Sequence, residues 1–316
     1  TVEYIKKQKI KINYKVNISI KGDSTKQISN SFCVGLKKFT KIFSKLKPDA
    51  IIVLGDRYEI FSTVISATLK KIPIIHIHGG EVTSGSMDEG IRHSITKLSH
   101  VHFVSSENYK KRVLQLGESK KNVFNVGSLG VESIKKNKFL SRNKLQSFLR
   151  IKFLKKIVLV SLHPETLEKK LNKENLKNFF NALKTLDKHT IIFTMPNADI
   201  GYKFILNKIK EFTKNRKNFF LFKSLGHQKY FSLCKFIDFY IGNSSSGIIE
   251  LASFKKPSIN VGTRQSGRMK PKNVIDCDYK KENILKKIQV ATSSKFKKKI
   301  IYLKNPYYKR DTSKKI

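Results

Sequence analysis

Short apolar runs that end in Gly, His or a charged residue, each followed by a segment of helical periodicity, recur along this chain and leave few folds open. "DAIIVLGDR" (49–57) is a continuous apolar strand ending at Gly55, "EIFSTVISATLKK" (59–71) reads as a helix, and "IPIIHIHGG" (72–80) is the next strand. A helix over 88–99, a strand over 100–106, a helix from 107 closed by Gly117 and a strand over 122–128 continue the pattern. Alternation of this kind defines parallel βαβ units, and strands apolar along their whole length are those covered on both faces. A second series has strands over 155–165, 189–197, 218–224, 236–243 and 257–263, with helices near 173–187, 200–213, 227–234 and 246–254. The Lys/Asn/Ser-rich segment 135–155 lacks a strand and reads as a linker with a hinge helix. The simplest architecture is α/β: two Rossmann-like, doubly wound domains facing a cleft, over 1–140 and 141–316.

Charge is the one feature that pulls towards another class. The chain carries 65 Lys and Arg against 23 Asp and Glu, a formal +42, which raises the question of a nucleic-acid partner. Most of the excess is lysine, spread over every segment among Ile, Asn and Phe, as AT-rich codon usage produces. Base readout and bidentate phosphate recognition favour arginine, and no aromatic-plus-basic stacking motif is present, so no specific nucleic-acid partner is expected. No apolar run approaches the ~20 residues of a membrane span, and no signal peptide opens the sequence, so the expected location is the cytoplasm, away from the membrane. Cys33, Cys234 and Cys277 are far apart and form no CxxC pair, which disfavours a disulfide framework or a zinc site.

In doubly wound sheets ligands bind beyond the carboxyl ends of the strands. The polar residues cluster there: Asp56 and Arg57, His76 to Glu81, His163, Asn197 and Asp199, Asn243 to Ser246, and Arg264. In "YIGNSSSGIIELASF", Ser244, Ser245 and Ser246 lie at the start of a helix, where free N–H groups and three hydroxyls suit a phosphate, or simply cap the helix. Glu250 lies among Ile248, Ile249 and Leu251, and a carboxylate in so apolar a helix needs partners such as the paired hydroxyls of a ribose. Arg264 and Arg268 in "INVGTRQSGR" suit a leaving diphosphate. His163 in "VSLHPET" is a lone histidine at a strand end. His76 and His78, two apart on a strand, share a face, yet no further ligand at zinc spacing accompanies them, so no metal is expected. Asp88 and Arg92 are four apart and share one helix face.

"LGDRYE", "HIHGGEVTSGSMDEGIRHSITKLSH", "LHPET", "GNSSSGIIE" and "PSINVGTRQSGR", in this order and spacing, resemble the hydrolysing UDP-N-acetylglucosamine 2-epimerases of sialic- and legionaminic-acid synthesis. The likeness covers nearly the whole chain. It implies a glycosyltransferase-B-like pair of Rossmann domains, a nucleotide-sugar substrate, no cofactor and a homo-oligomer. The implied reaction expels UDP from carbon 1 with loss of the proton at carbon 2. Water then adds to the 2-acetamidoglucal to give N-acetylmannosamine, or its 6-deoxy-4-acetamido analogue from UDP-N,N'-diacetylbacillosamine.

Carried over position by position, the resemblance makes Asp56, Asp88 and Arg92 acid/base or supporting residues and His163 the cleft histidine. It makes Asn243, Ser244 and Ser245 contacts to UDP, Glu250 the ribose carboxylate and Arg264 the phosphate-side arginine. Some relatives have Glu where this chain has His78, so His78, Asp88 and Asp56 all stand as candidates for the carbon-2 base. Family members also begin with a further strand-helix-strand and end in a longer helix that crosses back to the first domain. The chain is therefore expected to be a fragment with reduced activity. A non-hydrolysing epimerase or a glycosyltransferase of the same fold is the alternative.

Overall fold

A computed structural model describes residues 2–18, 22–166, 172–197 and 199–316. Two helices come first, α1 (Val2–Lys7) and α2 (Thr25–Leu46). The second starts at a capping box in which Ser24 and Gln27 satisfy each other's backbone N–H groups. Then follow β1 (Ile51–Leu54), α3 (Tyr58–Leu69), β2 (Ile74–Ile77), α4 (Asp88–Leu98), β3 (Val101–Val104), α5 (Glu107–Gln115), β4 (Val123–Asn125) and α6 (Leu129–Lys136). The four strands form one parallel sheet in the order β1-β2-β3-β4. Gly35 lets α2 lie close on α3, because a Cβ there would meet the Ser62 hydroxyl at 2.6 Å.

The second half contains α7 (Arg142–Leu149), β5 (Lys156–Ser161), α8 (Lys173–Lys184), β6 (His189–Thr194), α9 (Tyr202–Thr213), β7 (Phe219–Phe222), α10 (Gly226–Phe236) and β8 (Phe239–Gly242). It continues through α11 (Ser246–Ile249), a 3₁₀ turn over Leu251–Phe254, β9 (Ser258–Val261), β10 (Val274–Cys277), α12 (Lys281–Thr292) and α13 (Ser294–Ile300). All six strands run parallel in the order β10-β9-β8-β5-β6-β7. Strand order therefore reverses between β5 and β8, and the crevice above that pair is where such a sheet takes a ligand. Val158, Val160, Phe179, Phe193, Ile209, Phe239 and Ile241 fill one side of this sheet and are fully buried. Each contributes roughly 1.5–3 kcal/mol.

Two parallel sheets flanked by helices were legible in the sequence, but the strands are shorter than the apolar runs. Several end where the backbone turns to positive φ, at Gly55 (88°), His78 (70°) and Gly262 (82°). β2 stops at Ile77, so His78 lies beyond the strand and does not share a strand face with His76. His76 is buried, with Nε2 against the Gly55 carbonyl at 3.0 Å and Nδ1 near the Thr96 hydroxyl at 3.3 Å. The two histidines are thus separated, and neither is placed to share an ion with the other. β1 also departs from the doubly covered pattern. It is an edge strand whose Ile52 and Leu54 are exposed, as is Phe124 on β4.

After α13 the chain returns to the first half. Ser128 N–H donates to the Tyr307 carbonyl at 2.8 Å, the Thr312 hydroxyl donates to the Val126 carbonyl at 2.7 Å, and α14 (Thr312–Lys315) ends the chain beside α6. Among the described residues no helix is long and apolar enough to cross a membrane.

Candidate active site

The first wall of the site is organised by Arg92, which points from α4 into the protein and is buried. All five of its N–H donors are used. Nε and Nη2 donate to Asp56, Nη1 to the Glu81 carbonyl (2.7 Å) and Glu89 (2.8 Å), and Nη2 also to the Thr83 hydroxyl (2.8 Å). A guanidinium so saturated has no donor left for a substrate. It fixes Asp56 after β1 and the "HGGEVT" turn after β2 relative to α4. Glu89 is drawn down to about 2: burial raises it, but the His93 ring, the Thr83 N–H and Arg92 outweigh burial.

His78 and Asp88 stand on this frame. His78 Nδ1 lies 2.8 Å from Glu81 Oε1, and Glu81 also accepts the Ser105 hydroxyl at 2.9 Å and Arg268 Nη1. Burial pushes the Glu81 carboxyl up, but Arg268, then His78 and Arg92, hold it well below the usual carboxylate range. An ionised carboxylate only accepts, so the proton sits on Nδ1 and Nε2 is left as the free acceptor. Asp88 opens α4 and takes the Ser86 hydroxyl at 3.0 Å. Burial, followed by the nearby Asp56 and Asp199 carboxylates, pushes its pKa up to about 6, a value suited to holding and giving a proton near neutrality.

The second wall lies at the β5/β8 crevice. Asn243 is fully buried and grips the His163 backbone from both sides: Oδ1 accepts the His163 N–H at 2.7 Å and Nδ2 donates to its carbonyl at 2.9 Å. Its side chain thereby ties the His163 backbone to the end of β8. The His163 ring accepts the Asn197 N–H on Nδ1 at 3.0 Å, which leaves Nε2 as the N–H donor. Burial, then Arg264 and Arg57, keep it neutral by lowering its pKa well below the ordinary value. A neutral imidazole N–H at this position can steady an oxygen that gains charge.

Next to it is a cleft of about 460 Å³ lined among others by Ser161, His163, Lys223, Tyr230, Ser244 and Ser246. Ser244 N–H is held by the Tyr240 hydroxyl at 3.0 Å, and Ser245 is the residue before α11 with no side-chain capping bond. Glu250 sits where the sequence places it, at the end of α11, close to Gly130 of α6. A Cβ on Gly130 would meet its Oε1 at 2.9 Å. Its Oε2 is buried with no hydrogen-bond partner among the described residues, and burial raises its pKa to about 6. A carboxylate left in that state calls for hydroxyl donors.

The two walls meet. Arg264, from the turn after β9, is buried and lies 4.0 Å from Asp88 and 3.6 Å from Asp199. Arg57 donates to Asp199 at 2.6 Å, and Met87 N–H to the Thr166 hydroxyl at 2.8 Å. Arg268 corrects one expectation. Read from the sequence as a partner for a leaving diphosphate, it is buried and bonded to Glu81 in the other half. Asp199 and Glu81, to which the sequence reading assigned no role, are two of the carboxylates through which the halves engage. The signal available for both was their place just after apolar strands.

Paired parallel sheets with their strand ends turned to a common crevice make this an α/β protein of glycosyltransferase-B-like architecture. A profile of the UDP-N-acetylglucosamine 2-epimerase family matches residues 1–316, and the chain belongs to that family. It is 43% identical over 279 residues to the GDP/UDP-N,N'-diacetylbacillosamine 2-epimerase (hydrolyzing) of Campylobacter jejuni, covering 88% of this chain and 72% of that one. It is 40% identical over 315 residues to the polysialic acid biosynthesis protein P7 of Escherichia coli, covering 98% and 79%. Its fold is similar to the crystal structure of the UDP-GlcNAc 2-epimerase from Neisseria meningitidis bound to UDP-GlcNAc, with TM-score 0.82, 19% identity and coverage of 99% and 86%.

Proposed function

We propose that this protein is a hydrolysing 2-epimerase acting on UDP-N-acetylglucosamine or on UDP-N,N'-diacetylbacillosamine, in the supply of sialic- or legionaminic-acid precursors. One observation carries the reading: Asp88, a carboxyl poised to titrate near pH 6, faces Arg264 across the crevice at 4.0 Å. Proton transfer at the sugar and charge stabilisation at the diphosphate thus fall side by side. The hydrolysing Campylobacter relative supports the same reaction class.

In this mechanism His78 Nε2 takes the proton from carbon 2. The C1–O bond breaks with its electron pair going to UDP, and a double bond forms between carbons 1 and 2. Arg264 and the neutral His163 N–H meet the charge developing on the diphosphate, while Ser244, Ser245 and Glu250 hold UDP. Water then adds its hydroxyl to carbon 1 and gives up its proton, which restores Asp88 by way of solvent, as Asp88 delivers a proton to carbon 2 on the face opposite to the one deprotonated. His78 afterwards releases its proton to solvent. Removal on one face and return on the other requires two groups, which is why both His78 and Asp88 are retained in the mechanism. Asp56 and Arg92 hold that pair in place. We read residues 1–140 and 141–316 as the two domains, in a cytoplasmic homo-oligomer.

Incubation with each nucleotide sugar and product analysis by NMR tests the reading. Free 2-epimerised amino sugar with equimolar UDP is expected from one of the two substrates. An epimer still linked to UDP, or transfer of the sugar to another hydroxyl compound, contradicts it.

A further inference from the structure

Two loops from opposite halves are stitched together directly behind His78. Ser84 N–H donates to the Ser266 carbonyl at 3.1 Å. Gly85 packs so tightly that a Cβ would meet the Thr263 carbonyl at 2.7 Å and Arg264 backbone atoms at 2.8 Å, and a Cβ on Gly267 would run into Val82. At the centre of this seam lies Glu81. One of its oxygens accepts His78 Nδ1 and Ser105, the other accepts Arg268 Nη1. The backbone next to Arg268, at Met269, is held by a knot of tyrosines. The Tyr307 hydroxyl donates to the Met269 carbonyl, Met269 N–H donates to the Tyr109 hydroxyl at 3.2 Å, and the two hydroxyls lie 2.9 Å apart. His78 itself sits at φ 70°, a conformation uncommon outside glycine, with its N–H on the Phe103 carbonyl at 2.8 Å. Its backbone is thereby fixed while its ring depends on Glu81 for orientation.

Building on His78 as the carbon-2 base, we propose that Arg268 is a positioning residue for that base, acting from the other half of the molecule through Glu81. The relay runs from Tyr307 and Tyr109 to the Met269 backbone, to Arg268, to Glu81 and to the His78 ring. It makes proton abstraction depend on how the halves are seated, without any contact between Arg268 and the sugar. The charged and titratable groups facing Glu81 are Arg268, His78, Arg92, Tyr109 and Tyr307. Among these, Arg268 is the cation that comes from the second half and bonds Glu81 directly.

The test uses substrate deuterated at carbon 2. Arg268→Met is expected to lower kcat about 100-fold, the scale of a misplaced catalytic group. KM and UDP affinity should change less than about threefold, and the isotope effect on kcat should rise because C–H cleavage becomes limiting. Glu81→Gln should do the same, the double variant should be no worse than either single one, and Arg268→Lys should recover part of the rate. A merely structural Arg268 predicts the reverse: higher KM and weaker UDP binding in Arg268→Met and Arg268→Lys alike, with the isotope effect unmoved. That result overturns the positioning role and leaves the epimerase reading standing, whereas wild-type protein that consumes neither nucleotide sugar overturns both.

Discussion

Arg92 and Asp56, 36 positions apart in the chain, meet in a two-donor ion pair at the point where β1 and β2 release their loops into the crevice. Arg92 is buried, so the pair is poorly screened by solvent, and its other donors hold Glu89, Thr83 and the Glu81 backbone. Removing one partner of a buried pair leaves the other uncompensated, at a cost of about 3–5 kcal/mol. Arg92→Met should therefore lower urea-unfolding stability by that amount and abolish turnover. A loss under about 1 kcal/mol would mean that Arg92 is not the frame of this wall.

Asp88 gives a stability signature with a definite sign. Its folded pKa, about 6, lies above the ordinary value of 3.8, so the native state holds this proton more tightly than the unfolded state. Its contribution is fully present below pH ~4 and is lost as pH rises through about 6, leaving an ionised carboxylate that costs about 3 kcal/mol. Asp88→Asn is thus expected to be more stable than wild type at pH 8 and equal to it near pH 4, by thermal unfolding at both values. In the proposed mechanism Asp88 returns the proton to carbon 2, so the same variant should release 2-acetamidoglucal with UDP, whereas His78→Gln should form neither.

Much of this was legible in the residues, and the reasons for the rest are physical. Apolar runs such as "KKIVLVS" and "HTIIFT" marked their strands because burial on both faces leaves no room for polar residues. The α2 helix and β10 were not expected. The first lies in a Lys-rich stretch, though Ile28, Phe32, Leu36, Phe39 and Phe43 recur along it at helical spacing behind the Ser24/Gln27 cap. The second, "VIDC", is too short and polar to stand out. Site residues could be placed at strand ends, but their partners could not. Nothing in the spacing of Glu81 and Arg268, or of Arg57 and Asp199, shows that they meet, since those contacts depend on how the two halves face each other.

UDP affinity should report on Glu250. Its pKa near 6 means that ionisation, and with it the capacity to accept two hydroxyl donors, is lost as pH falls through 6. Binding of UDP to wild type should weaken between pH 7 and pH 5. Glu250→Ala should weaken it at pH 7 by about 1.5–3 kcal/mol, the range for hydrogen bonds to a charged group, and should flatten the pH dependence. A variant that binds UDP as tightly as wild type at pH 7 would remove Glu250 from the nucleotide site.

Gly85 tests the seam between the halves by volume alone. It has no positive φ, so alanine is compatible with its backbone, yet the new Cβ would meet Thr263 and Arg264 main-chain atoms below 3 Å. Gly85→Ala should spread the two loops and cut kcat by 10-fold or more. UDP binding, which the proposal places at the second wall, should persist. Wild-type kcat in this variant would show that the loops need not close so tightly.

The central claim is that UDP leaves with its glycosidic oxygen, the carbon-2 proton is lost, and water re-enters at carbon 1. It is tested most directly by running the reaction in deuterium oxide enriched in the heavy oxygen isotope and reading the products by NMR and mass spectrometry. The account predicts a free 2-epimerised sugar with one deuterium at carbon 2 and heavy oxygen at carbon 1, and UDP with none of the heavy isotope. Heavy oxygen on the β-phosphate, or a product that retains its original proton at carbon 2, would contradict it.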